Sequence, residues 1–253
     1  MPEPEDAPHQ IIYEKQRQSD PVTGWLMLAI GFVVVLGLVG VIYGLLAGVF
    51  GAGSTPRTLV ESQVVLLRDA ARQYPGSGSA RQAYILALEA SGQPAAATKE
   101  YKSALTEVTG VEKTAVYAAG VTLLFDAEDY KGAIDLAKEG IASDDAARKE
   151  IITAAAAKQT IVTDAQFDQT HRILILFTSA RASGVLGDWK TAEKVLSETL
   201  RLDPQGSDLL VYRASAHEHL GEKDKALADY KAALAYIPNY EPALDGIKRI
   251  QGE

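Results

Sequence analysis

Four histidines and no cysteine are all that this 253-residue chain offers for imidazole or thiol chemistry. The missing cysteine excludes disulfides, thiolate metal sites and a cysteine nucleophile. His217 and His219 stand two apart, a spacing that turns side chains to different faces of a helix. His9 and His171 have no acidic or histidine partner at ligand spacing. Gly76-Ser77-Gly78-Ser79 lacks the lysine that follows a phosphate-binding glycine loop, and no HExxH or GxSxG motif occurs. The expectation is no enzyme, no metal and no cofactor. A net charge of -8 without a basic stripe also argues against nucleic acid. What remains is recognition by a surface, and the surface depends on the elements that carry it.

Those elements repeat. Gly187, Ala192, Leu200 and Pro204 recur as Gly221, Ala226, Leu234 and Pro238, each 34 residues further on, and Ala180/Ala214 and Leu186/Leu220 keep the same offset. Apolar residues make up 47% of the chain but aromatics only 7%, an alanine-rich supply that suits close helix packing and leaves little for strands. Counting Ile173 as position 1, one unit places Ala180 at position 8, Gly187 at 15, Trp189 at 17, Ala192 at 20, Leu196 at 24 and Pro204 at 32. The next unit begins at Ser207, with Ala214, Gly221, Lys223, Ala226, Tyr230, Ala233 and Pro238 in the matching places.

This pattern resembles the tetratricopeptide repeat, a helix-turn-helix unit of 34 residues that stacks into a solenoid. Lys223 departs from the family, which usually has an aromatic there. The resemblance extends upstream: Gly92, Ala97, Tyr101, Ala104 and Leu105 fit a unit at about 78–111, and Tyr130, Ala133, Ala137 and Gly140 fit one at about 114–147. In the latter Glu128 stands in the glycine position and no terminal proline appears. Residues 57–77 read as a linking helix ending at Pro75, and 78–147 as two divergent repeats. Residues 173–240 read as two regular repeats. Residues 241–253 read as a capping helix, with Ala243, Leu244, Ile247 and Ile250 on one side and Lys248 and Arg249 on the other. Residues 148–172 fall outside the period. Their run Ala154 to Ala157 predicts a helical insertion that interrupts the superhelix.

Ahead of the repeats, 21–56 carries no charge. Its core, Trp25–Phe50, also lacks proline, and at about 1.5 Å per residue it is long enough to cross a hydrocarbon layer of about 30 Å. Gly37, Gly40, Gly44, Gly48 and Gly51 share one sector of such a helix, a candidate seam for close approach by another membrane helix. The tail 1–20 is acidic and expected to be disordered. The fold expected is all-α, a tetratricopeptide-like solenoid behind one N-terminal transmembrane helix. Lys15 and Arg17 before the span, against Arg57 close after it, lean to a cytoplasmic N-terminus and an extracytoplasmic repeat domain. The whole resembles single-span bacterial repeat proteins of the inner membrane.

The resemblance implies capture of a protein on the face lined by first helices. Those positions hold Gln82, Leu86 and Glu89, then Thr122 and Phe125, then Phe177, Thr178 and Arg181, then Tyr212, Ser215 and His219. The lysine and asparagine clamp with which chaperone-binding members grip a C-terminal carboxylate is absent, and Arg181 alone makes a poor clamp. Trp189 is expected inside its hairpin. Asp144-Asp145 and Glu222-Lys223-Asp224-Lys225 are expected at helix starts or turns, where acids favour the first turn through the helix dipole. Two functions fit. One is a membrane-anchored scaffold whose groove holds a partner protein and assists assembly of a membrane or envelope complex. The other is a permanent accessory subunit of a membrane complex, docked through the glycine face.

Overall fold

In the computed structural model the chain divides into two units, Met1–Thr55 and Pro56–Glu253. The structure describes residues 59–252, which lie within the second unit. The expected tail 1–20, the span 21–56 and the glycine face Gly37, Gly40, Gly44, Gly48 and Gly51 lie outside the described residues. Among the described residues no helix is long and apolar enough to cross a membrane.

The described residues form ten α-helices in order: α1 Leu59–Gln73, α2 Gly78–Ala90, α3 Pro94–Glu107, α4 Lys113–Asp126, α5 Tyr130–Ala157, α6 Thr170–Val185, α7 Trp189–Leu202, α8 Ser207–His219, α9 Lys223–Tyr236 and α10 Glu241–Gln251. There is no strand among the described residues. Helices α2/α3, α4/α5, α6/α7 and α8/α9 form four hairpins, and each packs on the next.

Local chemistry sets the hairpin ends. Ser77, Asp129 and Asp188 accept backbone N–H bonds at the starts of α2, α5 and α7, while Pro94 and Pro242 occupy first-turn positions that need no N–H. Each first helix closes in the same way. Gly92, Glu128, Gly187 and Gly221 take left-handed φ of 76°, 62°, 80° and 76°. The following residues, Gln93, Asp129, Asp188 and Glu222, donate back to Leu88, Leu124, Ser183 and His217. This is the Schellman closure, in which a left-handed residue lets the freed carbonyls find donors. Glu128 adopts the glycine conformation despite its Cβ, so the turn is kept where the sequence departs from the repeat.

Packing explains the recurring small residues. Ala97, Ala133, Ala192 and Ala226 hold one repeat position, and all four are buried where the paired helices cross. The core runs through three adjoining clusters centred on Ile85 and Val116, on Val121 and Ile175, and on Leu196 and Tyr230. Helix α10 closes the far end. Its Ala243 and Gly246 are buried, and a Cβ on Gly246 would lie 2.2 Å from the Tyr230 ring. Its Lys248 and Arg249 stay exposed.

Two sequence expectations need correction. The predicted insertion over 148–172 is not a separate helix: α5 continues without interruption through Ala157. The alanine run Ala154–Ala157 has high helix propensity and no breaker precedes it, so extending an existing helix avoids the cost of a new nucleus. Residues 158–169 then turn back through a short 3₁₀ segment, Asp164–Gln166. The second correction concerns Asp144, which lies inside α5 and is only 2% exposed. Thr114 donates to it at 2.8 Å, and Arg148 and Arg172 pair with it at 2.7 and 2.8 Å. Asp145, exposed, also pairs with Arg172 at 2.6 Å. These charges join the overrunning helix to α6.

Candidate functional groove

A groove of about 740 Å³ opens along the first helices of the last two hairpins. Phe177 and Arg181 of α6 form one side, Val211, Tyr212 and Ser215 of α8 the floor, and Asp245 and Arg249 of α10 the far side. Helical spacing explains the convergence, since residues four apart share a face. The 34-residue period explains the rows: Phe177, Val211 and Asp245 occupy one repeat position, and Arg181, Ser215 and Arg249 another. Thus α10 stands where a fifth unit would place its first helix and contributes to the groove as well as capping the core.

The two arginines are held differently. Arg249 donates to Glu218 at 2.9 Å and to the Tyr230 hydroxyl at 3.1 Å, and Tyr230 itself donates to Glu218. The Glu218 bond is the main reason the Arg249 guanidinium is held above its ordinary value, while burial raises the Tyr230 phenol. Tyr240 donates to Asp208 and, mainly through burial, is pushed up to about 12. Arg181 lies among rings, its guanidinium carbon 4.4 Å from the Phe125 ring centre, 5.9 Å from Phe177 and 5.7 Å from Tyr212. Phe177 and Tyr212 meet edge to face at 5.0 Å, a geometry that suits aromatic quadrupoles. Tyr212 is 40% exposed, so this aromatic surface is open to a partner.

Of the residues expected to face a partner, Phe177, Arg181, Tyr212 and Ser215 line this groove, and Phe125 supports Arg181 from α4. Gln82 and Thr178, at 9% and 4% exposure, are buried between helices and present little to a ligand. Leu86 packs partly on the first core cluster. Glu89 and Thr122 are partly exposed, and Thr122 donates to the Ala118 carbonyl at 3.0 Å. His219 is exposed at the hairpin end, stacked on Trp189 at 3.7 Å with the rings 5° apart. Trp189 therefore packs on Gly184 inside its own hairpin, as expected, and also stacks on His219 of the next one. His217 is buried, 2.6 Å from Glu222. Among the described residues no cluster of histidine and acidic side chains could hold a metal ion. Val211 and the α10 residues Asp245 and Arg249 line the groove without having been among the positions expected to face a partner. Adding 34 to Phe177, Arg181, Val211 and Ser215 reaches them.

The arrangement is an open groove on a helical-repeat surface. The tetratricopeptide repeat family model matches residues 177–241, which identifies this stretch, α6 to the start of α10, as tetratricopeptide repeats. Among solved structures, that of pilF from Pseudomonas aeruginosa is similar, with a TM-score of 0.51 and 16% identity over 76% of this chain and 84% of that one. MamA from Desulfovibrio magneticus RS-1 gives a TM-score of 0.48 and 12% identity over 72% of this chain and 88% of that one. No curated protein sequence matches the chain. The pilF likeness shows a shared fold.

Proposed function

We propose that the chain is a non-enzymatic, membrane-anchored interaction scaffold that holds a partner protein in the groove between α6, α8 and α10 and assists assembly or stability of a membrane or envelope complex. The observation that carries this reading is the open groove with its aromatic wall of Phe177 and Tyr212 and its single ring-framed arginine. Aromatic and arginine side chains in a partly desolvated setting are what binding hot spots are made of. Anchoring rests on the uncharged run Trp25–Phe50, whose length suits one crossing. Lys15 and Arg17 favour the inner membrane with the N-terminus cytoplasmic and the repeats outside. The glycine spacing from Gly37 to Gly51 supports a second reading, a permanent subunit whose span docks on another membrane helix.

Photo-crosslinking in intact membranes distinguishes the two. A crosslinker at Ser215 should capture a discrete partner, whereas one at Lys194, exposed on α7 and away from the groove, should not. Capture only from positions within 21–56 would favour the subunit reading and remove the groove from the account.

A further inference from the structure

The groove contains one arginine whose charge the protein has answered and one whose charge it has not. Counting from the starts of the units at Thr114, Ile173, Ser207 and Glu241, Arg181 and Arg249 share position 9, and Phe125 and Glu218 share position 12 of the unit before. The same step of the stack therefore brings Arg249 onto Glu218 at 2.9 Å and Arg181 onto the Phe125 ring at 4.4 Å. Where one step supplies a carboxylate, the other supplies an aromatic face. Among the described residues no carboxylate pairs with Arg181 and no group accepts a hydrogen bond from it. The other carboxylates facing the groove have partners of their own or stand on the α10 side: Glu218 with Arg249, Asp208 with Tyr240, Asp245 with Lys248, and Glu241 at the start of α10.

We infer that Arg181 is an anion subsite that receives an aspartate or glutamate side chain from an internal segment of the partner polypeptide, with the apolar wall of Phe177, Val211 and Tyr212 taking a neighbouring apolar side chain. The guanidinium carbon lies within 6 Å of three ring centres, and no internal acceptor among the described residues takes its N–H donors, which can bind a carboxylate by two parallel bonds. The rings also displace water, so an ion pair formed there is screened less than one on an open surface. Glu241 and Asp245 oppose a second acid on the far side. The subsite therefore suits a segment acidic at its Arg181 end, and a uniformly acidic one binds less well. This assignment rests on the groove being the binding face. It adds the chemistry of what binds.

The test uses the full-length protein in detergent micelles and two fluorescent peptides with both ends blocked. They are identical, with a phenylalanine at the centre, except that one carries glutamate and the other glutamine two residues before it. The glutamate peptide is expected to bind about tenfold more tightly, the scale of a charge-assisted pair, with an advantage that shrinks as salt rises. Arg181→Met, which keeps an unbranched side chain between the rings, should abolish the advantage, and Arg181→Lys should retain part of it. Phe125→Glu should do what Glu218 does for Arg249, supplying an internal carboxylate and removing the preference. Circular dichroism of each variant establishes that it is folded. Equal binding of both peptides to the wild type, lost in Tyr212→Ala, would overturn the anion subsite and leave the groove standing. Binding of neither peptide would also overturn the subsite, and capture from Ser215 then decides the groove independently. A preference that survives in Arg181→Met would overturn it as well.

Discussion

The hairpins α2–α5 and α6–α9 have the same architecture but differ in how they are held together. In the second pair the left-handed turns are glycines, and the core runs from Leu196 through Tyr230 to the cap. In the first pair one turn rests on Glu128, and the last helix overruns its unit to a length of 28 residues. Its end is secured by the buried charges Asp144 and Arg148, with Arg172 reaching across from α6. The regular pair also carries polar contacts, Arg213 reaching Asp229 at 2.7 Å and Ser197 at 3.2 Å, one arginine to one acid. In the irregular joint one buried acid, Asp144, serves two arginines, one of them from the next hairpin. The groove lies on the regular side.

The largest expected effect comes from the irregular joint. Asp144→Ala leaves Arg148 and Arg172 facing a buried site without their shared carboxylate, and removal of one member of a buried ion pair costs about 3–5 kcal/mol. A thermal melt should show it as a large fall in stability. A small effect would mean that Asp145 and Asp164 take over and that the joint is not held by Asp144. On the regular side, Gly246→Ala sets a methyl against the buried Tyr230 ring, an overpacking worth about 1–3 kcal/mol that should loosen α10 and raise hydrogen exchange in α9. Unchanged exchange would contradict the close approach on which the cap depends.

A smaller change should act in the opposite direction. Glu128→Gly relieves a left-handed conformation that costs an L-residue about 1 kcal/mol, so the melt should rise, whereas Gly187→Ala should lower it by a similar amount. Equal responses at the two turns would erase the distinction between the pairs. A further effect is expected in alkaline pH. Burial is the first cause that raises Tyr101 and Tyr117 in the first pair, and Tyr240 beside the groove, from 10.0 to about 12. The folded state keeps these protons longer than the unfolded chain does. Their contribution is whole below pH 10 and is lost as pH rises from 10 to about 12. A melting temperature flat across that window would contradict their burial.

Sequence alone made the hairpins legible because their determinants are local: glycine at a left-handed turn, alanine at a crossing and a proline beyond the second helix. Part of the groove was legible for the same reason, since Phe177, Arg181, Tyr212 and Ser215 follow from counting along first helices. Asp144 was not. An acid at that place in a helix reads as solvated until the tertiary fold brings Arg172 onto it from α6, 28 residues away. The α5 overrun was hidden because an alanine run specifies a helix without saying whether the preceding one has stopped. Gln82 and Thr178 mislead in the reverse sense, polar residues on the expected face that neighbouring helices cover.

The claim that binding belongs to the regular pair is tested most directly by recovering the crosslinked partner from membranes with two matched variants. Phe177→Ala with Tyr212→Ala removes the ring wall beside Arg181, and Glu89→Ala with Thr122→Ala alters the corresponding face of the first pair. Partner recovery should fall at least about tenfold in the former, as expected when two aromatic anchors are lost, and stay near wild type in the latter. Both variants should keep their helical signal. Equal recovery from the two, or loss only from the first-pair variant, would contradict the placement of the binding site on α6, α8 and α10.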